Sequence, residues 1–214
     1  MIGRITPGNP AKSRPVPFFK EQKEEVRMKI AVGAVLGLLA AALALTPAWA
    51  TTALERTETD LIQEASVIIT GQCTHLQSQW AGRTLVTIAT VSVSEVLKGQ
   101  PGAEVTVVLL GGVDTSRRVP VAMTLPGAPE IFMQENVLLF LTPQDLVANG
   151  YAIVGFSQGK FTIAQTPQGQ MVASQNLSEL NLQGHTGSIF RGRAKTLLLS
   201  ELRQKIHALA EGQP

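Results

Sequence analysis

From residue 66 onward, short apolar runs rich in Val, Ile, Leu and Thr alternate with clusters of Gly, Pro and polar residues, a spacing that predicts strands separated by turns. Residues 66–74 (SVIITGQCT) form a β-branched run in which Gly71 marks a bulge or a close backbone approach. In the longest run, 84–97, Leu85, Ala89, Val91 and Val93 share one parity while Val86 and Ile88 take the other. A bulge or bend near its middle is therefore expected. The Gly- and Pro-containing turn at 98–102 leads into a strand at 104–110 (EVTVVLL). Residues 136–141 (NVLLFL) are apolar almost throughout, the pattern of a strand buried on both sides. Further strands are expected at 151–156 and 160–164, with a short edge at 171–173.

Two helices flank this β pattern. Thr57 or Thr59 can cap a short helix ending near Ala65, with acids in the first turn where the helix dipole favours them. At the other end Leu198, Leu202, Ile206 and Leu209 form one apolar stripe, with Arg203 and Lys205 on the other face. Residues 111–134, with Gly111-Gly112 and three prolines, read as a long excursion with one extended piece near Val119 to Met123. Residues 176–193, with three glycines and many polar groups, read as a surface linker. The expected organisation is a β-barrel domain over 51–175, a linker over 176–193, and a helix over 194–210 packed on the barrel.

The first 50 residues follow a different pattern. Met28-Lys29 is a short basic region, residues 30–45 are 16 positions without a charge, and Thr46-Pro47-Ala48-Trp49-Ala50 ends small-x-small after a helix breaker. This predicts a secretory signal peptide over 28–50, with Ala48 and Ala50 as the cleavage-site residues, and an exported mature chain in the periplasm or outside the cell. The competing reading is an uncleaved anchor, because 30–50 is 21 apolar-leaning residues and about 20 span a bilayer. Membrane contact is expected only through this segment. Residues 1–27, Pro-rich and carrying both charge signs, fit an extension upstream of a true start at Met28, or a disordered piece.

Removing the leader changes the electrostatic picture. The first 50 residues hold seven of the 18 Lys+Arg and three of the 16 Asp+Glu, which leaves 11 basic and 13 acidic groups on the remaining 164 residues. No nucleic-acid partner is expected of a chain with that balance, since phosphate binding draws on clustered excess cations. The single cysteine, Cys73, excludes an intramolecular disulfide framework and a Cys-rich zinc site. It lies in an apolar strand, where a buried thiol acts as a small hydrophobe. His75, His185 and His207 lack the paired spacing of metal ligands, so neither a metal nor a cofactor is expected.

Gly155-Phe156-Ser157-Gln158-Gly159 matches the G-x-S-x-G nucleophile elbow. That motif works at a strand-to-helix turn, whereas a strand follows here, so a hairpin turn is expected and no catalytic residue is assigned. A hydrolase using Ser157, or a carboxylate such as Asp114, stands as the alternative to a binding module. Asn176-Leu177-Ser178 fits the N-glycosylation pattern, which matters only in a cell that glycosylates in that way. Trp80, the one tryptophan after the leader, sits in a hairpin loop expected over 77–83. With Arg117 and Arg118 of the irregular excursion it makes the candidate contact set for an unidentified protein or cell-envelope partner. A structural envelope role is the third class.

The order of these runs resembles a known architecture. The stretch LIQEASVIITG at 61–71, a long strand ending EVLKG at 95–99, EVTV at 104–107 and ENVLLFL at 135–141 resemble uncharacterised exported bacterial proteins, which in turn look like the netrin-like, TIMP-like branch of OB-fold barrels. The likeness covers about Leu61 to Ala164. It implies a mainly β, OB-like Greek-key barrel of about five to seven strands that binds partners without catalysis, and it raises protease inhibition as a role. TIMP-like inhibitors present a disulfide-bonded N-terminal Cys, whereas the processed chain here begins Thr51-Thr52 and holds only Cys73. The inhibitory residue does not carry over.

Overall fold

The computed structural model describes residues 52–210. The signal segment with Ala48 and Ala50, and the stretch at 1–27, lie outside the described residues. The fold is mainly β. Strand β1 (Thr52–Leu54) is followed by helix α1 (Glu58–Glu64), then β2 (Val67–Ala81), β3 (Thr84–Lys98), β4 (Glu104–Leu110), β5 (Gly112–Asp114), β6 (Val121–Met123), β7 (Asn136–Pro143) and β8 (Gly150–Ile153). A 3₁₀ turn at Phe156–Gly159 leads to β9 (Lys160–Gln165), β10 (Met171–Asn176), β11 (Asn181–Gln183), β12 (Ile189–Arg191), β13 (Ala194–Leu198) and helix α2 (Leu199–Ala210). The largest sheet has eight strands in the order β13-β10-β9-β7-β2-β3-β4-β8, and β8 also pairs with β7. Within it only β4 and β8 run parallel.

Strands β2 and β3 are long because each supplies inward residues to the core and outward residues to a projecting hairpin. Their register slips between Ile68 and Ile69, between Thr70 and Gly71, and between Cys73 and His75. Such bulges increase local twist and bend. Gly71 is needed there, since a Cβ would lie 2.4 Å from the Ser92 carbonyl oxygen. The expected irregularity is thus present, distributed over both strands.

Strand β7 is buried on both faces, as its unbroken apolar run implies. Val137, Leu139 and Leu141 join Val67, Ile69, Cys73, Val91 and Val107 in one cluster. Leu138 and Phe140 face the opposite way, into a second cluster with Ile68, Phe161, Leu61 and Ile62 of α1, and Leu199, Leu202 and Ile206 of α2. Thr57 caps α1 through a reciprocal box with Asp60, whose carboxylate accepts from the Thr57 amide at 2.8 Å. Both helices thus cover the sheet face that the first cluster leaves open.

Three expectations require correction. Residues 176–193 are not a linker. They contain β11 and β12, which with β1 form a second, three-stranded sheet, and Leu177, Leu180 and Leu182 bury a small core beneath it. The segment from 194 is strand β13 before it becomes helix at Leu199, so the β domain runs well past residue 175. The G-x-S-x-G segment is not a hairpin. β8 and β9 do not pair with each other; both pair with the same edge of β7, β8 along Leu141–Pro143 and β9 along Val137–Leu139. The five residues carry the chain from one half of that edge to the other, and Gly155 and Phe156 both take left-handed φ values, 65° and 62°.

Candidate functional site

The loop expected over 77–83 is instead the end of β2, which continues as strand to Ala81, and the start of the 111–134 excursion packs against it. The β2–β3 hairpin turns at Gly82-Arg83, where Gly82 supplies a φ of 61° at the first turn position. The short ribbon of β5 and β6 lies beside this hairpin. The Gly111 amide donates to the Leu85 carbonyl at 2.9 Å, Thr87 Oγ1 donates to the Gly111 carbonyl at 2.9 Å, and the Val113 amide donates to Ser78 Oγ at 3.1 Å. Gly112 allows this approach: its φ is 148°, and a Cβ there would lie 2.6 Å from both Ser78 Oγ and Thr87 Oγ1.

Asp114, at the end of β5, ties the hairpin to the following turn. Its Oδ2 accepts from Trp80 Nε1 at 2.8 Å and from Arg117 Nε at 3.1 Å. Its Oδ1 accepts from the Ser116 amide at 2.9 Å and from Ser116 Oγ at 2.6 Å. These donors, led by the Ser116 hydroxyl and Trp80, hold the carboxyl well below the usual carboxylate range. The Arg117 guanidinium stands over the indole with its Cζ 5.1 Å from the ring centroid, a cation–π arrangement. Trp80 stays 39% exposed and the Arg117 side chain 59%. Arg83, Arg118 and Val119 are exposed on the same two turns. Of the candidate contact residues, Trp80 and Arg117 therefore touch. Arg118 is exposed beside Arg117 in sequence.

Ser157 borders a different feature, a cleft of about 500 Å³ lined also by Glu130, Phe132, Glu135, Lys160, Thr162 and Glu179. Its hydroxyl donates to the Gly127 carbonyl at 2.9 Å, which directs the proton into a structural bond and not toward a base. At the base of this cleft Lys160 pairs with Glu135 at 2.6 Å, and Thr162 Oγ1 donates to the same carboxylate oxygen at 2.5 Å. The pair is mostly covered, so removing one partner alone would strand the other's charge. Gln158, next to Ser157, is fully buried. Its side chain accepts from the Arg56 amide at 2.8 Å and donates to the Leu54 carbonyl at 3.0 Å, clamping the N-terminal strand to the body. Nothing in the sequence marks this residue, because a polar Gln inside a turn carries no signal of burial.

Cys73 is buried in the apolar cluster around β7, and burial pushes its thiol up from the ordinary value. Among the described residues, no group of three or more His, Cys, Asp or Glu side chains is placed to hold a metal ion. No described helix is long and apolar enough to cross a membrane. No protein-family model and no curated protein matches the chain.

Proposed function

We propose that the chain is an exported, non-enzymatic binding module built on an OB-like barrel, and that it meets a protein partner through the Trp80–Asp114–Arg117 edge. The barrel reading rests on the strand pairings. β2, β3 and β4 form an antiparallel meander, β8 runs parallel to β4, and β7 pairs with both β8 and β2. The pairings thus return to their starting strand around the cluster of Cys73, Val91, Val107 and Leu139, the order of a five-stranded Greek-key barrel. Strands β9, β10 and β13 extend it on one side. In such barrels the loop between the first two strands is one of the binding loops; here that loop is Gly82-Arg83, and Trp80 stands near the end of β2 leading into it.

The observation that carries the function is the exposed Trp80–Arg117 stack held by a common carboxylate. A tryptophan and an arginine fixed in place before contact lose little freedom on binding, and both residue types dominate the energetics of protein interfaces. Immobilised full-length chain should retain from producing-cell extract a partner that the Trp80→Ala variant does not retain. Equal retention by both would remove the assignment of this edge. Turnover of a generic ester substrate, abolished by Ser157→Ala, would overturn the non-enzymatic reading.

A further inference from the structure

Resting on that reading, we infer that the Trp80–Arg117 edge is built to take an acidic segment of its partner, with carboxylates held in the guanidinium forks of Arg117, Arg118 and Arg83. The two turns that flank the edge carry three exposed arginines, Arg83 three positions after Trp80 and Arg118 next to Arg117, with Asp114 as the carboxylate bound to Trp80 and Arg117. Asp114 is already occupied by four donors, so it neutralises only part of that charge and has little capacity to accept more. The described residues as a whole carry 11 basic and 12 acidic groups. The surplus at this edge is therefore local and not a reflection of an overall basic chain. Charge complementarity of this kind fixes the sign of the partner.

The geometry also selects among anions. Arg117 engages Asp114 through Nε, and its terminal nitrogens supply further planar donors suited to a bidentate carboxylate. The Trp80 ring holds one face against that guanidinium and commits its N–H to Asp114. It acts as a positioning residue for Arg117, and the covered face offers no platform for a base or a sugar to stack upon. The large apolar side chains most exposed on β5 and the turn after it are Val113 and Val119, a modest surface beside three guanidinium groups. An extended acidic peptide satisfies the forks and the small apolar surface together.

The test uses the full-length chain with Trp49→Phe, so that Trp80 is the sole indole and its fluorescence reports on the site directly. Titration with hexaglutamate at low salt should shift or quench Trp80 emission saturably, and raised salt should weaken the binding. Arg117→Gln should weaken it about tenfold, the loss expected of one desolvated hot-spot contact. Arg117→Lys should restore little, since a point charge lacks the fork. Arg83→Gln and Arg118→Gln should each weaken it several-fold with unchanged thermal unfolding. Absence of saturable binding to hexaglutamate, or equal binding by hexaglutamine, would overturn the inference, as would binding only to phosphatidylglycerol vesicles or to oligothymidylate. A partner captured through Trp80 whose association ignored salt and the Arg83 and Arg118 changes would overturn the acidic assignment alone. The binding-module reading would then stand.

Discussion

At Asp114 four hydrogen bonds converge on one carboxylate, three of them from the exposed turn that follows β5 and one from Trp80, which the β2–β3 ladder already holds in place. Arg117 and Ser116 lie in an exposed turn, and Trp80 comes from a hairpin 34 positions earlier. Because these bonds favour the ionised form, the folded-state pKa lies below the unfolded value, so the stabilisation is complete above the ordinary carboxylate pKa. It is lost as pH falls from that value through the lower folded one. Asp114→Asn should therefore flatten the acid limb of a plot of melting temperature against pH, and it should release Trp80 emission toward that of a solvated indole at neutral pH. An unchanged acid limb with unchanged emission would show that the carboxylate does not organise the edge. Trp80, Arg117 and Arg118 were legible in the sequence as exposed types suited to contact. The connection of Trp80 to Arg117 was not, because Asp114 joins those two across 34 positions of sequence and no local spacing marks that approach.

Element by element, legibility followed the strength of the apolar pattern. The β7 run and the turn at 98–102 gave the elements that formed, and the stripe of Leu198, Leu202, Ile206 and Leu209 gave the helix except at Leu198, which ends β13 while Leu199 takes the buried helical place. The 176–193 segment misled because its strands are three residues long and its glycines and polar residues outnumber its three buried leucines. It holds together by pairing in parallel with β1, a partner more than a hundred residues away that local pattern cannot reveal. Gly155 to Gly159 misled in another way: a short connection between two strands ordinarily makes a hairpin, but here both strands are captured by the edge of β7. For α2 the structure sharpens the expectation. Leu199, Leu202 and Ile206 are buried against α1 and the sheet, and Arg203 pairs with Glu95 of β3 at 2.6 Å. A helix of 12 residues is marginal alone, so its stability comes from this face. Leu202→Ala should lower unfolding free energy by about 2–4 kcal/mol, through lost burial and the cavity left behind. Chemical denaturation measures it; a change below about 0.5 kcal/mol would mean that the helix is not docked in solution.

For the molecule as a whole, the decisive feature is that the central strands belong to two cores, β7 most completely and β2 through Ile68 on one side and Val67, Ile69 and Cys73 on the other. Successive residues of β7 point to opposite sides, so Leu139 enters the cluster with Val91 and Val107 while Leu138 enters the cluster under α1 and α2. Both leucines are fully buried. Neither cluster can lose its part of β7 without disturbing the hydrogen bonds that β7 makes to β2 on one edge and to β8 and β9 on the other. The strand pairings therefore couple the helices to the hairpin that carries Trp80, since β2 runs from the shared core out to that hairpin. Leu138→Ala and Leu139→Ala should each destabilise by about 2–5 kcal/mol, the range for a large aliphatic side chain removed from a packed interior. Each variant should still unfold in one transition, with Trp80 fluorescence (measured with Trp49→Phe in place) and far-ultraviolet circular dichroism reporting the same midpoint. Two separated midpoints in the Leu138 variant, with helix signal lost first while Trp80 stays in its folded environment, would mean that the helical cluster is an independent layer. In that case the edge at Trp80 would keep its shape without the helices, and coupling through β7 would be refuted.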